Sequence, residues 1–539
     1  MIILIFSIFL FILIKFFSIL HFSSEPSIYS GGAGYFLRDV LTSGHLITQQ
    51  GAFFLSKNVF SANIVEYARY PFFPSLYIIL SLFSGITMFS WTERIVRSIL
   101  FALPIMLILL SIYFSVSQRL DKKIDYKFIF LISLYSLMAS PYVINQLGAN
   151  GWLFILFVSY LIFIQPKDRW EFSLLSVLFL AILPAAYFTG SSFFILWISI
   201  TMSILFIIKL GVYEKLNLNK IFDLNITFRK SYTTIFLILI VCYIGYAIYI
   251  STNRFIPALD VFINVINTIM DGFSGFETSS PLLSSRYIIE TSLESKLRNL
   301  INGILVAAPV ILLFVYRKRL IELKETTLFL FAGILALPCL TILTFFWLGQ
   351  FGLVRLQEYG SLISLIIVPV VSSVLVKKEK IMLAVIIILA IISSIFTYCY
   401  DESIQYRYIS NQEEYGAHWM KNNVNMNSSI FTDHRLSGTF ISNGFLRTTG
   451  ITEFGKNSTE LIDQIYYYDD SKNVSHVIRS FKVKYIYFSK SMMSNASGIM
   501  LYNYPIKPAS DGFFEKYDSN SDFNKLYDNG QSFVYDLDA

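Results

Sequence analysis

Residues 360–399 read GSLISLIIVPVVSSVLVKKEKIMLAVIIILAIISSIFTYC, two long apolar runs separated by the basic stretch Lys377–Lys380. A helix needs about 17–25 predominantly apolar residues to cross the hydrocarbon core of a bilayer. The runs 360–376 and 381–399 both reach that length. This stretch therefore predicts two membrane-crossing helices joined by a short basic loop.

The composition of the whole chain agrees with that reading. Of its 539 residues 55% are hydrophobic and 14% are charged, whereas about a quarter are charged in a typical soluble domain. The mean hydropathy is +0.60. A soluble protein of this length could not bury so much apolar surface, and a disordered one would be far more polar. Most soluble enzyme folds are therefore excluded.

Apolar runs of this kind recur along the first three quarters of the chain. The accepted runs are 2–21, 96–117, 127–144, 150–165, 172–188, 191–209, 232–250, 299–316, 326–347, 360–376 and 381–399. The sequence thus predicts a polytopic α-helical membrane protein with about 11 transmembrane helices. We expect residues 71–90 to form a juxtamembrane helix on the outer surface rather than a further span.

Charge asymmetry predicts the orientation. If residues 71–90 do not cross, the loops on the N-terminal side carry 18 Lys/Arg in about 50 residues, several times the density of the other loops. Basic loops stay on the cytoplasmic side. We therefore expect a cell-membrane protein with a cytoplasmic N-terminus, long outer loops at 22–95 and 251–298, and an extracytoplasmic C-terminal part.

The last 140 residues differ in character from the rest. From Tyr400 onward the chain has 13 Lys/Arg and 17 Asp/Glu, against 29 and 19 in the remainder. Their pattern predicts a helix over Gln412–Asn423, strands over Ser429–Thr432 and Lys484–Ser489, and a hairpin over Leu526–Asp536 whose Asn529-Gly530 pair suits a tight turn. We predict two domains, a transmembrane domain at 1–399 and an extracytoplasmic α/β domain at 400–539.

Soluble-enzyme signatures contribute nothing to the function. No GxGxxG, GxxxxGK[ST], HExxH or GxSxG motif occurs, and the five histidines lack metal-ligand spacing. The three cysteines lie in or at the end of apolar runs, and no nucleic-acid signature is found. Asp433-His434-Arg435 has the residue types of a catalytic cluster, but a hydrogen-bond network at a strand end is the simpler interpretation.

The first outer loop carries the most informative residues. Glu25 lies just beyond the first apolar run, Arg38-Asp39 lies in a short amphipathic stretch before Gly44, and Arg69-Tyr70-Pro71 opens the 71–90 segment. Farther on, Gly352-Leu-Val-Arg355 stands at the outer end of a predicted helix pair. This layout resembles the GT-C superfamily of membrane glycosyltransferases, which includes protein O-mannosyltransferases, oligosaccharyltransferase catalytic subunits and aminoarabinose transferases.

The resemblance implies a donor sugar on a polyprenyl phosphate and a glycan, lipid or protein acceptor, both meeting at the outer face among membrane lipids. It implies a catalytic carboxylate, which is either Asp39 or Glu25, and phosphate-binding guanidinium groups at Arg355 and Arg69. A divalent metal is possible, but the residues assign no metal ligand. The next outer loop, 140–151, has no carboxylate, so a catalytically degenerate protein that binds lipid-linked glycans or organises cell-envelope assembly is the alternative.

Overall fold

A computed structural model describes residues 25–26, 91–138, 155–161, 178–184, 188–209, 230–249, 293–348, 351–375, 379–399 and most of 408–537, with four single residues between 6 and 13. Helices make up 77% of the described part of the chain. The chain divides into two compact units. The first comprises Met1–Phe17, Ile95–Glu277 and Lys296–Cys399, and the second comprises Ser18–Arg94, Thr278–Ser295 and Tyr400–Ala539.

The first unit is helical throughout its described part. Its helices are α1 (Trp91–Arg119), α2 (Tyr126–Met138), α3 (Phe188–Lys209), α4 (Lys230–Tyr249), α5 (Leu293–Tyr316), α6 (Lys324–Leu348), α7 (Phe351–Ser372) and α8 (Lys380–Cys399). A 3₁₀ turn at Arg317–Leu323 joins α5 to α6. Helix α6 packs most extensively, against both α3 and α7.

The predicted fold class, with about 11 transmembrane helices, is wrong in its helix count. Within the described residues two helical stretches are long and apolar enough to cross a membrane, Gly190–Ile208 in α3 and Asn299–Leu320 in α5 and the turn after it. Six other described apolar stretches have 10–17 residues. The predicted 71–90 helix lies outside the described residues.

The physical reason is that hydropathy measures preference for any apolar surroundings, and neighbouring protein provides them as well as lipid does. Helix α7 shows this most clearly. Every residue from Leu362 to Leu375 is buried, including Ser364, Ser372 and Ser373. A helix that is apolar on all sides belongs in the centre of a helical assembly. Its hydropathy alone therefore does not make it a lipid-facing span.

One aromatic contact fixes how α3 sits against α6. The buried Trp197 indole of α3 stacks on Phe329 at a centroid distance of 4.5 Å and donates its Nε1–H to the Phe329 carbonyl oxygen at 2.6 Å. A Cβ at Gly333, one turn farther along α6, would lie 2.5 Å from the ring. Glycine is thus required at position 333 because the indole occupies the space of a side chain.

Helices α5 and α8 run antiparallel. Near one end the Tyr316 hydroxyl of α5 contacts Met382 Sδ of α8 at 3.8 Å. About three to four turns away, the buried Ser393 hydroxyl of α8 donates to the Asn302 amide oxygen of α5. In apolar surroundings a paired hydroxyl and amide avoid the cost of burying either alone.

Two ion pairs hold three helix connections together at the Tyr316 end of this pair. Lys380 binds Asp125 of the α1–α2 connection, and Arg319 of the α5–α6 turn binds Glu379 at 2.8 Å. Arg319 also donates to the Val374 carbonyl oxygen at 3.4 Å, and the Lys380 ammonium lies 4.9 Å from the Phe128 ring centroid. We call this region, residues 118–127, 317–325 and 379–380, the basic end.

The second unit contains a five-stranded sheet in the order β4-β3-β5-β9-β8. The strands are β3 (Ser429–Phe431), β4 (Arg447–Thr449), β5 (Tyr485–Ser489), β8 (Asn524–Asp528) and β9 (Ser532–Asp536). Strand β3 is parallel to β4 and β5, and the other pairs are antiparallel. Two small ladders pair β1 (Glu25–Pro26) with β2 (Tyr408–Ile409) and β6 (Ile499–Leu501) with β7 (Tyr504–Ile506). Three helices accompany the sheet: α9 (Asn411–Asn423), α10 (Ser471–Ser480) and α11 (Phe513–Asp518).

The predicted elements of this unit are present with small shifts at their ends. Helix α9 begins one residue earlier than expected because Ser410 caps it. The Ser410 hydroxyl accepts from the Glu413 backbone N–H at 3.2 Å, and the Glu413 carboxylate accepts from the Ser410 N–H at 2.7 Å. The β8–β9 hairpin turns at Gly530, whose φ of +81° is one that residues with a side chain rarely adopt.

Asp125→Asn is expected to lower the stability of the helical unit by about 1 kcal/mol, because it removes a partly exposed ion pair that joins two connections. The matched control is Asp121→Asn in the same connection. Asp121 is exposed and has a φ of +48°, a conformation that Asn adopts readily. Thermal unfolding of the purified protein in detergent measures the difference, and equal effects of the two variants would contradict the assignment.

The same pair predicts a pH dependence. The hydrogen bond from Lys380 lowers the pKa of Asp125 below its ordinary value. A carboxyl whose pKa is lower in the folded than in the unfolded chain stabilises the fold above the unfolded pKa, about 3.9, and loses that contribution as the pH falls through the folded pKa. The stability gap between parent and Asp125→Asn should be complete at neutral pH and shrink below about pH 4. A gap that widens on acidification would refute this.

Candidate functional site

The structure describes only part of the sequence-predicted site. Asp39 and Arg69 lie outside the described residues. Glu25 belongs to β1, where its backbone pairs with Ile409, and Arg355 is the fifth residue of α7. The side chains of Glu25 and Arg355 are not among those described. The catalytic and phosphate-binding roles of these four residues therefore stay predictions.

The described residues contain a different candidate site at the sheet of the second unit. The chain runs from β3 outward to its neighbour β4 and then crosses back to β5 on the other side of β3. Such a reversal of strand order opens a crevice at the carboxyl ends of parallel strands, where open α/β sheets bind their ligands. Thr432 and Asp433 directly follow β3 at this position.

Asp433 is almost completely buried, with 1% of its surface exposed. One carboxylate oxygen, Oδ1, accepts a hydrogen bond from the Leu436 backbone N–H at 2.9 Å. This is the strand-end hydrogen bond that the sequence suggested for Asp433.

Tyr466 brings a second polar group to the same region. It lies in the helical turn Asp463–Tyr467, and its buried ring packs between Phe488 of β5 and Phe513 of α11 at centroid distances of 6.3 and 5.8 Å. Burial raises the pKa of Tyr466 well above its ordinary value, and the negative charge of Asp433 raises it further. The phenol therefore stays protonated and can donate a hydrogen bond.

Among the described residues of this unit, three buried polar side-chain atoms have no hydrogen-bond partner: Thr432 Oγ1 after β3, and Gln464 Oε1 and Tyr466 Oη in the turn Asp463–Tyr467. An unsatisfied buried group of this kind costs about 1–3 kcal/mol. Their neighbours are well satisfied, since the Ile465 carbonyl oxygen accepts from Lys516 Nζ at 2.8 Å and from the Tyr517 hydroxyl at 3.0 Å. The lack of partners is thus specific to these atoms and not a general looseness of the turn.

The end of β3 and the turn Asp463–Tyr467 thus offer one carboxylate, two hydroxyls and one amide oxygen as candidate ligand contacts, and Tyr466 lies close enough to Asp433 to feel its charge. Hydroxyl groups of a ligand can donate to the carboxylate and amide and exchange hydrogen bonds with Thr432 and Tyr466. Ordered water satisfies the same atoms in many proteins. Sequence reasoning singled out Asp433 but missed Gln464 and Tyr466, which stand in no recognisable motif.

Metal binding finds no support in the described residues, where no group of three or more His, Cys, Asp or Glu side chains could hold a metal ion. The divalent metal considered from the sequence stays a prediction, because the first outer loop lies outside this search.

Comparison with known proteins adds no relative. No protein-family model matches the chain, and no curated protein matches it. The resemblance to GT-C glycosyltransferases thus stays a prediction from the sequence.

Tyr466→Phe is expected to stabilise the ligand-free protein by about 1–3 kcal/mol, because it removes a buried hydroxyl that has no partner. Tyr517→Phe is the matched control, since Tyr517 is equally buried but its hydroxyl is hydrogen-bonded. The control should lose about 1 kcal/mol. Thermal unfolding of the full chain reads both, and equal destabilisation by the two variants would mean that the Tyr466 hydroxyl is satisfied in solution.

Proposed function

We propose that this protein is a membrane glycosyltransferase that transfers a sugar from a polyprenyl-phosphate-linked donor to an acceptor at the outer face of the cell membrane. Two observations from the described residues support a membrane location. Helices α3 and α5 contain stretches long and apolar enough to cross a bilayer. Large apolar side chains also stand exposed along the helical unit, including Val241, Leu300 and Ile311, as lipid contact requires.

The β1–β2 ladder is the observation that carries the functional proposal. The resemblance puts the catalytic carboxylate in the segment after the first apolar run. The start of that segment, Glu25–Pro26, pairs with Tyr408–Ile409, two residues before α9 opens the C-terminal fold. The compact unit that holds the switch-point crevice also comprises Ser18–Arg94, and so both Asp39 and Glu25. The ladder thus supports a location for the start of the carboxylate segment beside the first elements of the C-terminal fold.

Charge supports the proposed multi-pass orientation. The α3 stretch is followed by Lys209, and the α5 stretch ends among Arg317, Lys318 and Arg319. Under the positive-inside rule these ends face the cytoplasm. Residues near Glu25 and Tyr408 share one face because their strands pair, and the proposal assigns them to the outer face with the C-terminal unit.

The proposed reaction uses few groups. The carboxylate of Asp39 or Glu25 takes the proton of an acceptor hydroxyl, whose oxygen forms a bond to the anomeric carbon of the donor sugar. The bond from that carbon to the donor phosphate oxygen breaks, and the electron pair leaves with the polyprenyl phosphate. Arg355 and Arg69 bind this phosphate as its charge develops, since a guanidinium can bond two phosphate oxygens at once.

A binding protein without catalysis is the second candidate, favoured by the absence of any carboxylate in residues 140–151. Both the transferase and the binding protein would bind the same lipid-linked donor, but only the transferase would transfer its sugar. The crevice at Asp433 and Tyr466 suits sugar hydroxyls under either one.

The orientation predicts a labelling pattern. In a variant whose native cysteines are replaced by serine, a cysteine introduced at exposed position 507 should react with a membrane-impermeant maleimide in intact cells. A cysteine introduced at exposed position 122 should react only after the membrane is opened. The reverse pattern would overturn the orientation, whereas labelling of both in intact cells would argue against a span between them.

Asp39→Asn is expected to lower the transfer rate by 10²–10⁴-fold while leaving donor binding intact, the effect typical of a lost general base. Glu25→Gln is the comparison, because the two carboxylates are alternatives for this role. Transfer from a radiolabelled polyprenyl-phosphate sugar is measured with purified protein in nanodiscs. Loss of transfer only in Glu25→Gln would reassign the base, and donor binding without transfer in the parent would favour the binding protein.

A further inference from the structure

The basic end of the helical unit carries more positive than negative side chains, and its two ion pairs leave this excess positive charge unchanged. Among the described side chains of residues 118–127, 317–325 and 379–380, eight are basic and four are acidic. The basic ones are Arg119, Lys122, Lys123, Lys127, Arg317, Lys318, Arg319 and Lys380; the acidic ones are Asp121, Asp125, Glu325 and Glu379. Two of the acidic groups are already bound to Lys380 and Arg319.

The four lysines among the remaining cations are exposed. Lys122, Lys123 and Lys127 lie within three residues of Asp125, and Lys318 adjoins Arg319. Because Asp125 and Arg319 pair with the adjacent residues Lys380 and Glu379, these lysines come from two connections that meet at one place. Among the described residues Lys122, Lys123, Lys127 and Lys318 form no salt bridge, and all four are exposed.

Large exposed apolar side chains also lie in and beside the basic end. Tyr126 is 75% exposed, Ile381 is 71% exposed and Val315 is 61% exposed. Each lies within two residues of a member of one of the two ion pairs or of Arg317. An exposed cation beside an exposed apolar side chain is the arrangement of a bilayer surface, where headgroup meets acyl chain.

We infer that the basic end is a binding surface for anionic phospholipids, with Lys122, Lys123 and Lys318 holding the headgroup phosphate and Tyr126 and Ile381 contacting the acyl chains. The inference rests on the membrane location proposed above. Clusters of lysine and arginine beside a membrane helix attract anionic lipid by about 1 kcal/mol per charge, which corresponds to about fivefold in affinity.

The apolar residues distinguish a lipid from a free phosphate compound. A soluble phosphate can use the lysines but gains nothing from Tyr126, Ile381 or Val315. A zwitterionic lipid can use the apolar side chains but brings a compensating positive charge to the lysines. Only an anionic lipid satisfies both halves of the surface, so selectivity for its headgroup should depend on the lysines alone.

The test measures binding of phosphatidylglycerol and phosphatidylcholine to the purified full-length protein in detergent micelles by native mass spectrometry. The parent should bind phosphatidylglycerol more tightly, and Lys122→Gln/Lys123→Gln should weaken that binding roughly 25-fold while leaving phosphatidylcholine unaffected. Lys421→Gln/Lys507→Gln removes the same charge from the second unit and should change neither. Arg317→Gln/Lys318→Gln, from the other connection, should repeat the loss if the first variant is poorly folded.

Several results would overturn the inference. The parent could bind the two lipids equally well, or Lys421→Gln/Lys507→Gln could weaken phosphatidylglycerol binding as much as Lys122→Gln/Lys123→Gln does. Inorganic phosphate could also displace the lipid more than chloride does at the same ionic strength, which would assign the lysines to a soluble anion. Failure here is separable from failure of the proposed function. If the protein binds anionic lipid but transfers no sugar, the proposed glycosyltransferase activity is wrong and the lipid-binding surface stands. If it transfers sugar but shows no lipid preference, the lipid-binding surface is wrong and the proposed activity stands.

Discussion

Glu379 and Lys380 are adjacent residues of opposite charge, and each forms an ion pair with a different helix connection. The helical unit depends on these two ion pairs. Glu379 binds Arg319 and Lys380 binds Asp125. Because successive residues of a helix point about 100° apart, a shift of α8 by one residue would break both pairs at once. The same register sets Met382 against Tyr316 and Ser393 against Asn302. Two charges thus fix three connections and the alignment of α5 with α8.

The second unit treats buried polar groups in two opposite ways. Near the end of β5 the buried Glu413 carboxylate accepts from the Ser410 N–H and the Ser491 hydroxyl, while its backbone carbonyl accepts from Tyr487. A fully satisfied network of this kind rigidifies a fold. At the end of β3, Thr432 and Tyr466 keep hydroxyls without partners. The first arrangement stabilises the fold, and the second marks the candidate ligand site.

The sequence predicted local structure well wherever one short segment decides it. The helix over Asn411–Asn423, the turn at Gly530 and the strand over Tyr485–Ser489 all depend on residues close together in the chain. The number of membrane spans did not follow, because hydropathy cannot tell the protein surroundings of α7 from lipid. The Asp125–Lys380 pair joins residues 255 positions apart, and no local pattern announces it. The sequence predicted only part of the candidate site for the same reason. Asp433 directly follows a recognisable strand, whereas Tyr466 belongs to a distant part of the chain.

The unsatisfied hydroxyls also connect stability to binding. A ligand that binds only the folded chain stabilises it by RT ln(1 + [L]/Kd), about 2.7 kcal/mol at a hundred times its dissociation constant. Part of that energy would come from hydrogen bonds between the ligand and the buried Thr432 and Tyr466 hydroxyls, whose burial without a partner destabilises the fold. A phenylalanine at position 466 would spare the fold this cost but would give up a hydrogen bond to the ligand. Under the proposed function, tyrosine at position 466 lowers the stability of the fold and raises the specificity for a polar ligand, because its hydroxyl costs energy when buried alone and gains a hydrogen bond when the ligand binds.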